Sequence, residues 1–323
     1  MIQTLVDWFS QVQGWLFQTV VQPVLFTSGL GDIAEEAFEG TEWFLIGVLE
    51  LALLYMVLRP LEAWIPAKPD LSPSARRIDF LYTCVHRLGI FTLIVFFALT
   101  PLFDAITFEL RMFGMTPFNL DSVWPGFTDV PLISFLIYLV VLDFFDYWYH
   151  RGSHKIGWWW GLHSLHHSQQ DMNLWSDNRN HLLDDLGRDV FMAVIALAIG
   201  VEPSQYVLLI VASRMQQSLQ HANVRIHFGA IGERLLVSPR YHRLHHAIGT
   251  EPGASGECNY AVLFPIWDIL FGTVCFSDKY VATGVRDQLP QPVGEGRDYG
   301  KGFWAQQWLG LKRMAEFARR PPS

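Results

Sequence analysis

The sequence predicts an all-α, polytopic membrane protein with about four transmembrane or re-entrant helices and a cytoplasmic, histidine-rich two-metal domain. Three observations carry that expectation. Of 323 residues, 51% are hydrophobic and 17% are charged, more apolar and less charged than an average soluble domain. Apolar runs of helix length recur up to residue 213. Eight of the twelve histidines fall in three short words, His150-x3-His154, His163-x2-His166-His167 and His242-x2-His245-His246.

Residues 1–27 contain no Lys or Arg, and Leu5, Val6, Phe9, Val12, Leu16 and Phe17 follow helical spacing. An amphipathic helix lying on a membrane surface has this pattern, and so does a surface helix packed on the rest of the chain. The first residues lack the basic region of a cleaved signal peptide. Residues 43–58 form an apolar run broken only by Glu50, residues 88–103 a run with no charge, and residues 130–142 a third that continues through Asp143 and Asp146 to Tyr149. Sixteen helical residues reach roughly 24 Å, so flanking residues must complete a span of about 30 Å. Residues 190–201 and 205–213 are shorter apolar pieces separated by Glu202 and Pro203, which suits a helical hairpin, spanning or re-entrant. Residues 278–300 are polar and rich in Gly and Pro, so they read as irregular surface chain. Phe303, Trp304, Trp308, Leu311 and Phe317, beside Lys312, Arg313, Arg319 and Arg320, suit a basic amphipathic helix on the inner leaflet or a terminal helix packed on the domain. The expected divisions are residues 1–130 for the surface helix and first spans, 131–276 for the metal domain, and 277–323 for a cytoplasmic tail.

Basic residues orient the chain. Arg59, Lys68, Arg76, Arg77 and Arg87 fall between the first two spans, whereas residues 104–129 hold only Arg111 and the N-terminal segment holds none. The positive-inside rule then puts the N-terminus outside and the 59–87 loop in the cytoplasm. The third span delivers His150 and the later histidines to the cytoplasmic side.

Imidazole binds iron, copper, nickel and zinc well, and eight rings exceed the needs of one ion. Asp146, His150 and His154 share one helical stripe, with Asp143 a turn earlier. A ligating imidazole usually gives its other N–H to a carboxylate or carbonyl, so Asp143 and Asp146 are candidates to hold ligand rings; pairing with Arg151 or Lys155 is the alternative. Adjacent histidines diverge by about 100° on a helix, so His166 and His167, or His245 and His246, can face two different metals. His221 and His181 are single histidines near the clusters and join them as ligand candidates.

The words Asp146-Tyr147-Trp148-Tyr149-His150-Arg151-x2-His154, His163-Ser164-Leu165-His166-His167-Ser168, Gln220-His221-Ala222-Asn223 and Ser238-Pro239-x2-His242-Arg243-Leu244-His245-His246 stand in that order. They resemble the fatty acid hydroxylase/sterol desaturase superfamily of integral membrane di-iron oxygenases, across residues 131–276. The closing words, Asn259-Tyr260 and Trp267-Asp268-x2-Phe271-Gly272-Thr273, are similar to the alkylglycerol monooxygenases and their bacterial relatives. Some members carry a further histidine four residues after the position matching His221; Arg225 stands there in this chain. The resemblance implies two non-haem irons, replaceable by zinc during purification, and O2-dependent hydroxylation or desaturation of a lipid such as a sterol, fatty acyl chain or ether lipid. It leaves catalysis to the metals and their ligands, and puts Asn223 and Asp268 near the ligand rings.

Gly29-Leu30-Gly31-Asp32-Ile33-Ala34 matches a dinucleotide fingerprint but lacks a βαβ setting. No flavin or nicotinamide site is otherwise visible, so electrons are expected from a ferredoxin or a cytochrome b5-like protein. A net charge of −8 gives no basic field for nucleic acid. Cys84, Cys258 and Cys275 form no Cys-x-x-Cys. Competing functions are a zinc hydrolase and a metal transporter. The first lacks His-Glu-x-x-His; the second should hold its ligands within the spans.

Overall fold

The computed structural model describes residues 2–88, 118–249, 256–290 and 296–318, with a few more between 105 and 114. Among the described residues the regular structure is helical. Two isolated bridges, Pro66 with Val224 and Ala247 with Thr283, tie loops together.

The first helix, α1 (Ile2–Leu16), passes through a π-helical turn (Phe17–Val21) into α2 (Gln22–Thr27). Leu5, Val6, Trp8 and Trp15 face outward, while Gln13 donates to the Phe38 carbonyl at 3.0 Å and Phe17 meets Phe38 edge-on. The segment is thus docked on the next helix and apolar on its free side.

That helix, α3 (Ala34–Trp64), extends the expected 43–58 run at both ends. Its 31 residues rise about 46 Å, more than a hydrocarbon core of about 30 Å. The surplus carries Glu62 to the histidine-rich half, where its carboxylate accepts from the backbone N–H groups of Leu174 and Asn223 at 2.7 and 2.9 Å. A carboxylate inside an apolar helix needs a partner. Glu50 has Arg87 at 3.1 Å, and Arg87 also donates to Asp177 at 2.8 Å and to Ser218 at 2.6 Å. Tyr55 and Met56 turn outward, 59% and 66% exposed, a face suited to lipid rather than water.

Arg87 closes α4 (Pro73–Arg87), which Ser72 caps at its N-terminus with Pro73 in the first turn. The expected span at 88–103 lies outside the described residues. The third apolar run continues without a break in α5 (Pro131–Lys155), whose last turns present His150 and His154. Among the described residues, two helices, Gly31–Trp64 and Pro131–Lys155, are long and apolar enough to cross a membrane. The short α6 (Gly157–His167) follows; α7 (Leu182–Ala198) and α8 (Pro203–His221) form the expected hairpin. After α9 (Gly229–Leu235) come α10 (Pro239–His245), α11 (Ile266–Leu270) and α12 (Phe303–Ala318).

The C-terminal helix lies against α6. A Cβ on Gly161 would stand 2.5 Å from the Met314 nitrogen, so only glycine permits this approach. Phe303, Gln307 and Arg313 are buried on the contact side, while Trp304 and Trp308 remain exposed. A second core, of Leu54, Leu58, Leu174, Trp175, Ala222 and Val224, fastens the lower part of α3 to the end of α8. The histidine-bearing helix ends therefore sit on a packed base.

Candidate metal centre

Four helix ends converge. The last turns of α5 bring His150 and His154, α6 brings His163, His166 and His167, α8 ends on His221, and α10 brings His242 and His245 with His246 just beyond. The adjacent histidines separate as helical geometry requires: His167 and His245 join His150 and His154, while His166 and His246 join His221 and His242. Within each group of four, one donor nitrogen from every ring lies within 4.8 Å of the others.

The second group is knitted by close approaches of Nε2 atoms. His221 stands 3.1 Å from His166 and 3.0 Å from His242, and His242 stands 3.0 Å from His246. In the first group the Nε2 atoms of His150 and His245 are 3.0 Å apart. His163 belongs to neither foursome. Its ring lies 4.9–5.4 Å from those of His150, His154, His166 and His167, and its buried Nε2 has no hydrogen-bond partner.

The outward nitrogens fix the tautomers. His150 Nδ1 faces the Tyr260 carbonyl at 2.8 Å, and His245 Nδ1 faces the Cys258 carbonyl at 2.8 Å. A carbonyl only accepts, so both Nδ1 atoms carry the proton and both Nε2 atoms are lone pairs. Two lone pairs 3.0 Å apart repel unless a cation lies between them. This arrangement fits a metal ion. His221 is oriented the same way, by the Gln217 carbonyl at 2.8 Å, and His163 Nδ1 donates to Asp184 at 2.8 Å.

Burial disfavours protonating these rings. Burial first, and then the neighbouring imidazoles, hold His166, His167, His242 and His246 well below the ordinary histidine value. Burial brings His245 down to about 3. Neutral imidazole is the form that binds metal.

Nine of the ten expected histidines are therefore gathered. The tenth, His181, is a correction. Its Nδ1 accepts from the Leu183 N–H at 3.1 Å and its Nε2 donates to the Gln307 carbonyl at 2.9 Å. It caps α7 and anchors α12, leaving no nitrogen for a metal. Arg225 donates to the Pro66 carbonyl, and its own N–H to the Ile65 carbonyl; the His221 foursome is complete without it.

The four expected ring-holding groups are also corrected. Asp146 pairs with Arg188 through two hydrogen bonds, at 2.8 and 2.5 Å. Asp143 accepts from the Leu263 and Phe264 N–H groups and from Trp267 Nε1. Asp268 accepts from Tyr260, Ala261 and Tyr241, and Asn223 bonds the Lys68 backbone. None of the four is hydrogen-bonded to an imidazole. Asp143 and Asp268 act one step further out, by fixing the 258–264 loop whose carbonyls orient His150 and His245. Asn259 completes that loop: it adopts a φ of 60°, a region asparagine tolerates, and bonds Tyr241 and Cys275.

Sequence reasoning missed Asp184, although it stands at the start of a helix just after the second histidine word. It missed Asp177, whose carboxylate approaches His221 Nδ1 to 3.7 Å; the unexplained charge of Glu50 was a pointer to that buried network. Nothing local in the sequence signals the Cys258 and Tyr260 carbonyls.

Among the described residues, two cavities reach the rings and another adjoins the first of them. One, of about 100 Å³, touches His150, His163, His166, His221 and His242. Another, of about 60 Å³, shares Asp146, Arg188, Asp189, Arg214 and Gln217 with it; the rest of its wall joins Leu139, Leu142, Met192, Leu209 and Ile210 to the polar Asp143, Tyr206 and Ser213. The third, of about 490 Å³, reaches His154, His167 and His245 past Lys155, Arg286 and Arg313.

Residues 135–273 match the family described as fatty acid hydroxylase. The chain is 32% identical over 198 residues to alkylglycerol monooxygenase of Homo sapiens, a match covering 59% of this chain and 40% of that protein. It is 29% identical over 168 residues to the ornithine lipid hydroxylase of Rhizobium tropici, covering 52% and 47%. It is 28% identical over 184 residues to a Delta(7)-sterol 5(6)-desaturase of Gibberella zeae, covering 55% and 53%. The chain thus spans roughly half the length of these relatives or less. No solved structure matches it.

Proposed function

We propose that the chain belongs to the fatty acid hydroxylase/sterol desaturase superfamily, on the match of residues 135–273, and that it is a membrane-bound, non-haem di-iron oxygenase acting on a C–H bond of a lipid. The observation that carries the reading is the facing pair of Nε2 lone pairs on His150 and His245, 3.0 Å apart, repeated in the second foursome by His221 and its neighbours.

His150, His154, His167 and His245 would hold one ion, and His166, His221, His242 and His246 the other, with His163 standing between them. The Nε2 separations of 3.0–3.1 Å among His166, His221, His242 and His246 are short enough for one ion to be held by neighbouring rings at metal–nitrogen distances of about 2.0–2.1 Å. The chemistry that two irons supply when bound is the reductive use of O2. Hydroxylation puts one oxygen atom into the C–H bond and releases the other as water; desaturation removes two hydrogens and releases both oxygens as water. Each takes two electrons and two protons from a donor.

The protein's own part is placement. Backbone carbonyls and Asp184 hold the rings in the metal-binding tautomer, so that little reorganises when an ion arrives. Burial excludes water from the rings. The apolar cavity among α5, α7 and α8 offers a lipid tail a way to them. No flavin or nicotinamide fingerprint accompanies the site, so we assign electron delivery to a separate carrier, a ferredoxin or cytochrome b5-like protein. The excess of Arg59, Lys68, Arg76, Arg77 and Arg87 between the first two apolar runs supports a metal site on the cytoplasmic side and an N-terminus outside.

Metal analysis of the purified chain, with O2 consumption under a reduced ferredoxin, tests the reading. About two irons per chain with lipid-dependent O2 uptake is the expected result. A chain that takes up iron and never consumes O2 with any lipid overturns it. Lipid profiling of a deletion strain then decides between hydroxyl and alkene.

A further inference from the structure

The cavity against His150, His163, His166, His221 and His242 is polar beyond what metal binding needs. Its wall includes Asn178, Asp189, Arg214 and Gln220. Most other charges there are already engaged: Asp146 by Arg188, Asp177 by Arg87 and Asp184 by His163, while Asp185 faces His86 Nε2 at 3.2 Å. The remaining groups are not. Among the described residues the side chains of Asp189 and Arg214 make no hydrogen bond or ion pair, though each acts on the other's field. Asn178 is 8% exposed and its amide nitrogen has no acceptor; Gln220 is 1% exposed and its side-chain oxygen has no donor.

Buried polar groups without partners are costly; Asn178 and Gln220 are buried, Asp189 and Arg214 are half-buried, and a hydrocarbon tail would leave all four as they are. Their chemistry divides in two. Arg214 and the Asn178 amide donate, and suit an anionic oxygen. Asp189 and the Gln220 oxygen accept, and suit an ammonium group. The second cavity begins at the shared residues Asp189 and Arg214 and runs on, past Asp143, along the apolar Leu139, Met192 and Leu209. A polar chamber beside the metal ligands is thus continuous with an apolar slot among α5, α7 and α8.

We infer that the substrate is a lipid with a zwitterionic headgroup, an ammonium together with a carboxylate or phosphate, seated in this chamber with its tail in the slot. The carbon offered to the metal pair then lies in or beside the headgroup. This rests on the lipid-oxygenase reading above, and it narrows the substrate class.

The test is equilibrium binding of matched single-chain lipids to the full chain in detergent, by native mass spectrometry. The probes are lysophosphatidylethanolamine for the phosphate form, an ornithine-headed acyl lipid for the carboxylate form, monoacylglycerol as neutral, and lysophosphatidic acid as anionic. At least one zwitterionic probe should bind about tenfold tighter than the neutral and anionic ones, the size of one charge-assisted hydrogen bond. Arg214→Gln and Asp189→Asn should each erase about that factor while metal content stays the same. Equal binding of all four probes to the unaltered chain overturns the proposal without any variant, and so does a preference that both substitutions leave intact. O2 consumption separates the two readings. Oxidation of the neutral probe as fast as the zwitterionic ones, with equal binding, sinks the headgroup assignment and keeps the oxygenase. A zwitterionic preference with no O2 uptake by the reduced, iron-loaded chain does the reverse.

Discussion

The Asp184 carboxylate grips His163: it accepts from the ring's Nδ1 at 2.8 Å, and its other oxygen accepts from Trp159 at 2.7 Å. The contact turns the remaining nitrogen of His163 toward four other imidazoles. Asp184→Asn should cost roughly 10–100-fold in metal retention or turnover, the usual effect of losing an outer partner of a ligating histidine. Titration with a chelator and steady-state rates measure both. Wild-type values in the variant would show that His163 needs no carboxylate.

His166 and His181 should behave differently, though both come from the same stretch of sequence. His166→Ala removes a member of the second foursome, so iron falls and turnover is lost. His181→Ala removes a helix cap and the bond to Gln307, so iron stays while stability falls by about 0.5–2 kcal/mol. Parallel metal analysis and thermal unfolding of the two variants decide the matter. Iron loss in the His181 variant at temperatures where it remains folded would contradict its structural assignment.

Glu50 and Arg87 are 5% and 2% exposed, and their ion pair joins α3 to α4. Glu50→Leu leaves the guanidinium with Asp177 as its only ion-pair partner among the described residues, beside Ser218 and the Arg214 carbonyl. Breaking one side of a buried pair costs about 3–5 kcal/mol, so the unfolding midpoint in detergent should drop sharply. A variant as stable as the parent would mean that Asp177 and Ser218 suffice for Arg87.

Acid should weaken the metal-free chain. His166, His167, His242 and His246 have folded values well below the ordinary 6.5, and His245 lies at about 3. Between those values and 6.5 the unfolded chain binds more protons than the folded one, so stability rises with pH across that window and is lost as pH falls below 6.5. Chelator-stripped protein should therefore melt at a lower temperature near pH 5.5 than near pH 7.5. A midpoint unchanged or raised by acid would contradict the burial of these rings.

The histidines were legible because ligand identity and helical spacing are local properties: two neighbouring rings must diverge, and His166 and His167 do. The apolar runs were legible for the same reason, and α5 carries the third of them directly into His150. Partner choice was not local. Asp146 shares a stripe with His150, yet Arg188 from α7 reaches it first, and a doubly hydrogen-bonded guanidinium is a better partner for a carboxylate than an imidazole. His181 sits near the clusters in sequence, but α7 starts there and turns the ring toward α12. The carbonyls of Cys258 and Tyr260 carry no side-chain signature; their role appears only once Asp143, Asp268 and Asn259 have set the loop.

The cavity touching His150 and His221 and the cavity touching His154 and His167 have no wall residue in common. An occupant of either leaves the other clear. Under the proposed activity, a lipid seated in the first leaves the second open to small solutes, so saturating lipid should not exclude a small metal-binding probe that enters past His154 and His167.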